Sequence, residues 1–251
     1  MDEHDRELQQ AFDRQAGSFE KAPVQSDPKA LERLVAFARL SKGARLIDAG
    51  CGPGLVAEAF LEAGVSVHGV DLSAEMLRRA QGRCQRFGAR ATFQQGSVFD
   101  VTAPAPFDAA VSRFVVHHVR DPAAFLRAQA VLVRGGGAVI ASDHVTDTDP
   151  AADEWHNAIE RLRDRTHVAN LSPGGLLDAL ASAGLSRLEL REEPFELDFD
   201  EWFDRGTPAA PKAEVRARIL SGRARGFDPS PRPDGGITLG CVRVLARGFV
   251  D

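Results

Sequence analysis

Three groups of residues in this sequence have types and spacings that suit chemistry. The first is a run of glycines, Gly50, Gly52 and Gly54, within Arg45-Leu-Ile-Asp-Ala-Gly-Cys-Gly-Pro-Gly54. Bare backbone in such a loop lets a ligand come close, and the start of a following helix offers free N–H groups. The second is a pair of carboxylates, Asp48 just before the loop and Asp71 roughly 20 residues after it. A carboxylate at the later position can accept hydrogen bonds from two vicinal ribose hydroxyls. One just before the loop repels a pyrophosphate but tolerates a cationic amino-acid group. The third group is histidine: His117, His118, His144, His156 and His167. Imidazole changes charge near neutral pH and is a ready general base.

The elements that must hold these residues follow from periodicity. Leu46, Ile47 and Ala49 read as a short buried strand, and 55–63 as a helix opened by Pro53 and Gly54. A second strand ends at Asp71. Ser73 caps a helix over 74–87, with Met76 in its first turn and Gly88 at its end. Residues 91–95 form a third strand, closed by Gly96, Ser97 and Val98. A fourth strand and its exit span 107–116, a helix 123–133 and a fifth strand 138–143. Such alternation implies a parallel sheet with ligands at the carboxyl ends of the strands. Asp48, Asp71, Gly96, Arg113 and Asp143 should therefore converge on one crevice. His118 and His144 fall near strand ends on that side, whereas His117 is expected to point elsewhere and His4 to be solvated.

The flanks are less regular. Leu8, Ala11, Phe12, Ala16 and Phe19 make one helical stripe, and a second helix covers 30–40. Residues 144–171 break the alternation with a helix on which His156 and Glu160 are four apart and can touch. A helix from Ser172 to Gly184, a sixth strand at 187–190, an irregular stretch around Trp202 and Pro208, a basic helix at 214–225 and a last strand at 237–249 follow.

The 251 residues are 43% hydrophobic and 27% charged, which suits one soluble globule with a good core. A net charge of −5 argues against a non-specific nucleic-acid binder. Three distant cysteines, with no CxxC pair, point away from disulfides and zinc. No tyrosine occurs, so no phenol can serve as a base. No apolar run reaches membrane-spanning length and no signal-peptide core precedes the charged start, so a cytoplasmic protein is expected.

Gly52-x-Gly54-x-x-Ala57 alone also fits a degenerate dinucleotide fingerprint. The fuller pattern Asp48-Ala-Gly-Cys-Gly-Pro-Gly54, Gly69-Val-Asp71 and Gly96-Ser97 instead resembles the S-adenosylmethionine motifs of class I methyltransferases. Phe107-Asp108, Ser112-Arg-Phe114, His117-His118, Asp121-Pro122 and Gly135-Gly-Gly137 resemble the ubiquinone/menaquinone-type C-methyltransferase subgroup. The resemblance implies a Rossmann-like α/β fold: a seven-stranded, mostly parallel sheet with an antiparallel last strand, and a helical cap. It implies a single domain over 1–251, with a lid at 1–40 and a cap insertion at 145–171.

It further implies that Asp48, Gly50, Cys51, Gly52, Gly54, Asp71, Leu72, Met76, Gly96, Ser97, Val98 and Arg113 hold S-adenosylmethionine. His118 and His144 are then the candidate catalytic residues. Phe12, Phe19, His156 and His167 are the candidate substrate contacts, and no metal is expected. The activity implied is in-line transfer of the sulfonium methyl to a small molecule. Two other readings stay open: a protein of this fold that binds the cofactor without transferring methyl, and an RNA or protein methyltransferase.

Overall fold

In the computed structural model the described residues are 3–103 and 105–251, without the side chains of 18–21. Phe19, expected as a lid anchor, therefore lies outside the described residues. The chain opens with three helices, α1 (Glu3–Lys21), α2 (Pro23–Ser26) and α3 (Pro28–Ala38). Strand and helix then alternate: β1 (Arg45–Ala49), α4 (Leu55–Glu62), β2 (Ser66–Asp71), α5 (Ala74–Cys84), β3 (Ala91–Gln95), β4 (Phe107–Arg113), α6 (Pro122–Val131) and β5 (Val133–His144). The last part holds α7 (Pro150–Arg163), α8 (Pro173–Ser182), β6 (Ser186–Asp198), α9 (Phe199–Asp204), α10 (Lys212–Ile219), β7 (Phe227–Pro231) and β8 (Ile237–Phe249).

One local rule starts four of these helices. Asp27, Asp121, Asp149 and Ser172 each stand before a proline, and each side chain accepts an N–H of the first turn. The cap satisfies a donor the helix cannot, and proline at the first position loses no hydrogen bond. Ser73 caps α5 in the same way, accepting Met76 N at 3.0 Å.

The sheet runs β3-β2-β1-β4-β5-β8-β6, and β8 is antiparallel to its neighbours. Strand order reverses between β1 and β4, the place where open α/β sheets leave a crevice. Among the described residues the sheet has eight strands, not the seven expected. The extra one, β7, carries Pro229 and Pro231 and pairs only with β8. Proline is tolerated there because an edge strand need not donate on both sides. β6 is also far longer than expected, pairing with β8 from Ser186↔Phe249 to Asp198↔Thr238.

Helices cover both faces. Leu126 of α6 with Leu176 and Leu180 of α8 pack on one, and Phe37 of α3 with Phe60 and Leu61 of α4 on the other. A third apolar cluster lies beyond the sheet's carboxyl edge. It joins Ile159 of α7, Phe199 and Trp202 of α9, Val215 and Ile219 of α10, Phe227 of β7 and Leu239 of β8. The stretch read as irregular around Trp202 is thus a short buried helix. No helix among the described residues is long and apolar enough to cross a membrane.

Phe227 is 1% exposed, stacks on His156 at 4.4 Å and meets Trp202 at 5.4 Å between ring centres. Phe227→Ala should cost about 3–5 kcal/mol, since the rings around it cannot close the cavity left behind. Urea unfolding checks this, and a loss under about 1 kcal/mol would mean that the third cluster adds little to the fold.

Candidate active site

The glycine loop leaves β1 and doubles back under the end of β2. Gly50 N and Cys51 N both donate to Val70 O, at 2.8 and 3.0 Å. Gly52 N donates to one oxygen of Asp71 at 2.8 Å, and Ser73 N to the other at 2.9 Å. Asp71 therefore braces the loop and the start of α5 at once. Gly54 caps α4 with a φ of +83°, and a Cβ there would come within 2.9 Å of Ala80 Cα. Only glycine gives both that backbone and that closeness of α4 to α5.

Above this loop is a cavity of about 410 Å³. Gly50, Gly52, Asp71, Leu72 and Met76 line one end, and Gly96, Ser97 and Val98 extend it. Arg113, Phe114 and His118 form the far wall, and His4, Leu8 and Phe12 of α1 the roof. The roof is latched. His4, expected in solvent, donates through Nε2 to His118 O at 2.8 Å. Ser73 Oγ donates to Asp13 at 2.5 Å, and Gln15 Nε2 to Thr207 Oγ1 at 2.7 Å.

These residues fit a nucleoside with a cationic tail. A Cβ on Gly52 or Gly96 would meet no atom within 4 Å, so bare backbone faces the cavity at both ends of it. Asp71 keeps lone pairs beyond its two N–H bonds for hydroxyl donors. Three of the expected cofactor contacts do not line the cavity. Asp48 lies beneath the loop, 1% exposed, with Oδ2 unpartnered; Cys51 faces Gly69; Gly54 is spent on the helix start. Burial, with Asp71 adding to it and Arg113 opposing it, pushes the Asp48 carboxyl up to about 8. Burial also lifts Asp71 to about 6, against its N–H donors. Arg113 is not free for a carboxylate. It donates to Gln25 O at 2.8 Å and Val24 O at 3.0 Å, clamping α2 to the end of β4.

A second, smaller chamber of about 50 Å³ adjoins the first, and Phe12, Phe114 and His118 line both. Phe114 turns the chain off β4 with a φ of +57°, which is strained for a bulky residue, and its N–H is held by Ser142 O at 2.8 Å. That turn sends His117 and His118 into the chamber, with their ring centres 4.1 Å apart.

His117 Nδ1 donates to Asp143 Oδ1 at 2.6 Å, leaving Nε2 with its lone pair. Burial opposes the imidazolium, but Asp143 outweighs it, so His117 titrates above the ordinary histidine value. The other three chamber histidines go the opposite way. His118 donates from Nδ1 to Thr166 O at 2.9 Å, and burial together with His117 lowers it to about 4. Burial and His117 lower His144 to about 3; it packs edge-on against Phe114 at 4.7 Å, and its Nε2 has no partner. Burial lowers His167 as well, and its Nε2 donates to Asn157 Oδ1 at 3.0 Å.

The structure thus brings together Phe12, His118, His144 and His167. It does not bring His156, which stacks on Phe227 and bonds Thr146 Oγ1 at 3.1 Å on the far side of α7. Its i,i+4 approach to Glu160, 3.8 Å, is present, but only Glu160 reaches the chamber. The sequence reading missed the His117–Asp143 pair, Arg163, Trp202 and Arg205. Asp143 was visible as a strand end; nothing in spacing alone marked the others. Among the described residues no three His, Cys, Asp or Glu side chains are grouped to hold a metal ion.

The buried Asp48 makes stability depend on pH. In the folded chain it holds its proton to about 8, but unfolded it ionises near 3.8. That contribution is full below the unfolded value and is lost as pH rises toward the folded one. Asp48→Asn should therefore leave acid stability unchanged and stabilise the ligand-free protein near pH 8 by up to about 5 kcal/mol. Urea unfolding of both proteins across pH checks this, and a difference that does not vary with pH would contradict it.

Comparison with known proteins agrees with this geometry. A family described as a methyltransferase domain matches residues 24–190, which hold the loop, Asp71, both ends of the cavity and all four chamber histidines. YcgJ of Bacillus subtilis (strain 168), by name an uncharacterized methyltransferase, is 28% identical over 207 residues, 81% of this chain and 82% of YcgJ. The YcgJ crystal structure covers 88% of this chain and 98% of its own, with a TM-score of 0.79 at 26% identity. A ubiquinone biosynthesis O-methyltransferase of Xylella fastidiosa (strain 9a5c) is 37% identical over 102 residues, 40% of this chain and 42% of that protein. This chain therefore spans less than half of that relative. Geranyl diphosphate C-methyltransferase of Streptomyces coelicolor A3(2), in complex with Mg2+, geranyl diphosphate and S-adenosyl-L-homocysteine, shares the fold: TM-score 0.60 at 19% identity, over 90% of this chain and 79% of that one. A match over most of the chain, on a sheet and glycine loop of this form, makes the protein a member of the methyltransferase-domain family, a class I, S-adenosylmethionine-dependent methyltransferase.

Proposed function

We propose that this methyltransferase acts on a small molecule, at an oxygen or nitrogen whose proton passes to His117. The observation that carries the reading is the pair of adjoining cavities. The larger fits the cofactor; the smaller holds the His117–Asp143 pair, and Phe12, Phe114 and His118 stand between them. A chamber of about 50 Å³, against several hundred for a drug-sized ligand, favours a small acceptor over a protein side chain on its backbone or a nucleic-acid strand. The ubiquinone relative is by its name an O-methyltransferase, which accords with an oxygen acceptor.

When bound, S-adenosylmethionine supplies a methyl group already activated by its positive sulfur. The chain has to bind, align and exclude water. In this reading Asp71 accepts the ribose hydroxyls, with Leu72 and Met76 beside it. Gly96, Ser97 and Val98 flank the base, and Gly50 and Gly52 leave room for the tail. Asp48 acts from beneath as a buried carboxyl that ionises when a cation arrives above it. Phe12 closes the roof. His117 holds the acceptor and takes its proton at Nε2, while Asp143 fixes the tautomer and stabilises the imidazolium. His118 and His144 stay neutral and shape the chamber, and His167 contributes its bare Nδ1.

Labelled S-adenosylmethionine incubated with the protein and a fractionated lysate tests the reading. Label should enter the metabolite fraction; label in RNA or protein would overturn the choice of acceptor.

Two variants test the residues. The base works only when neutral, so kcat/KM should fall as pH drops through the raised pKa of His117. Asp143→Asn removes the carboxylate, which should lower the rate by about 10²–10⁴-fold and move the acid limb to lower pH. An unmoved limb would exclude His117 as the base. Asp71→Ala should weaken cofactor binding by about 1–3 kcal/mol and also lower the unfolding midpoint, because Gly52 N and Ser73 N lose their acceptor. Calorimetry that finds unchanged affinity would rule out the ribose role.

A further inference from the structure

Among the described residues each charge around the small chamber except that of Arg205 has an ion pair, that of Glu160 only with a histidine. Asp143 is paired with His117. Asp164 takes Arg163 at 3.3 Å and both the N–H and the hydroxyl of Thr166. Glu160 accepts Trp202 Nε1 at 3.3 Å and lies 3.8 Å from His156. Arg163 also donates to Trp202 O at 2.8 Å. Arg205 lines the chamber too, but its one hydrogen bond is from Nε to Glu201 O at 3.1 Å, and among the described residues no carboxylate pairs with it. The residue is partly buried; burial and the neighbouring Arg163 push its guanidinium down to about 10, against the pull of Glu201 and Glu160.

A guanidinium partly withdrawn from water without a paired carboxylate is costly, and the neighbouring Arg163 adds repulsion. An anion between them removes both costs. The fork of N–H groups fits a planar oxyanion in a bidentate manner. The support is rigid as well. Arg205 caps the end of α9, and the turn after it is fastened to α7 by Ala209 N to Leu162 O at 2.8 Å and to the segment after α7 by Arg165 N to Thr207 O at 2.9 Å. Thr207 also receives Gln15 of the roof helix, so the roof closes beside this guanidinium. The volume, about 50 Å³, and the nearby charge of Glu160 favour a compact monoanion over a phosphate dianion.

We propose that the methyl acceptor is a carboxylic acid, held through its carboxylate by Arg205 while its separate O–H or N–H faces His117. This rests on the small-molecule reading above and names its substrate class. Arg205 lies beyond residues 24–190, so it belongs to the part of the chain that the family match does not cover.

The test uses methyl-labelled S-adenosylmethionine and a small-metabolite extract as the probe. The labelled product should be retained by an anion exchanger at neutral pH, before and after phosphatase treatment. Arg205→Met should lower incorporation at limiting extract by about 10- to 100-fold, with S-adenosylhomocysteine affinity unchanged by calorimetry. Arg205→Lys, which keeps the charge but not the fork, should recover part of the loss. Product that passes the exchanger overturns the proposal, as does product released by phosphatase or full activity in Arg205→Met. No labelled product, with the cofactor bound, overturns the small-molecule reading as well. Unchanged cofactor affinity in the variant shows that it is folded, so its loss of activity counts for the acceptor site.

Discussion

The Asp143 carboxylate is the interaction on which the rest of the site depends. It is 3% exposed and takes three donors: the ring Nδ1–H of His117 at 2.6 Å, the backbone N–H of His117 at 3.3 Å and that of His144 at 2.8 Å. A buried carboxylate is tolerable only when its lone pairs are filled, and these three fill it well enough to hold its pKa below the ordinary value despite burial. Because the donors come from the exit of β4 and the end of β5, the same ion ties two strand ends together. Phe114 N to Ser142 O adds the second tie, and it fixes the left-handed turn that aims His117 inward. The His117 carbonyl then takes Val168 N at 2.9 Å and Ala169 N at 3.2 Å, which draws the segment after α7 over the chamber.

The cofactor side is built on the opposite electrostatic principle. Asp48 and Asp71 are enclosed with too few partners, and both titrate high for that reason. Asp71 recovers part of the cost by bracing Gly52 and Ser73, so it is structural whether or not a ligand is present. Asp48 recovers little: among the described residues its Oδ2 has no partner below the glycine loop, and burial keeps its proton on to about 8. Near neutral pH that carboxyl is therefore the neutral acid in the ligand-free protein. Arg113 opposes that shift from a distance, while its N–H groups are occupied by the carbonyls of α2.

Much of this was legible in the sequence where one residue pattern has one structural solution. The glycine loop, Asp71 and the Asp-Pro and Ser-Pro helix starts are of that kind. So is β8, whose alternation over 237–249 was read to the residue because one face of it is buried throughout. β6 was under-read because Glu189 and Glu193 sit at positions that pair with Arg247 and Arg243, so ion pairs take the place of an apolar stripe. His117 and His118 are adjacent on a short turn, and which one meets the carboxylate depends on the backbone of Phe114, which spacing does not encode. His156 and His167 looked alike as cap histidines. Only the stacking of Phe227, from 71 positions later in the chain, separates them by withdrawing His156 from the chamber.

The two cavities also constrain how an acceptor arrives. Phe12 and His118 belong to both, and His118 is held by His4 at its carbonyl and by Thr166 at its ring. Phe12 stands edge-on to His118 at 5.2 Å, so α1 and the β4 exit close as one surface. At the rim of that surface Gln15 donates to Thr207 and Ser73 donates to Asp13. These latches are a few polar contacts at the rim of α1, each worth about 1 kcal/mol.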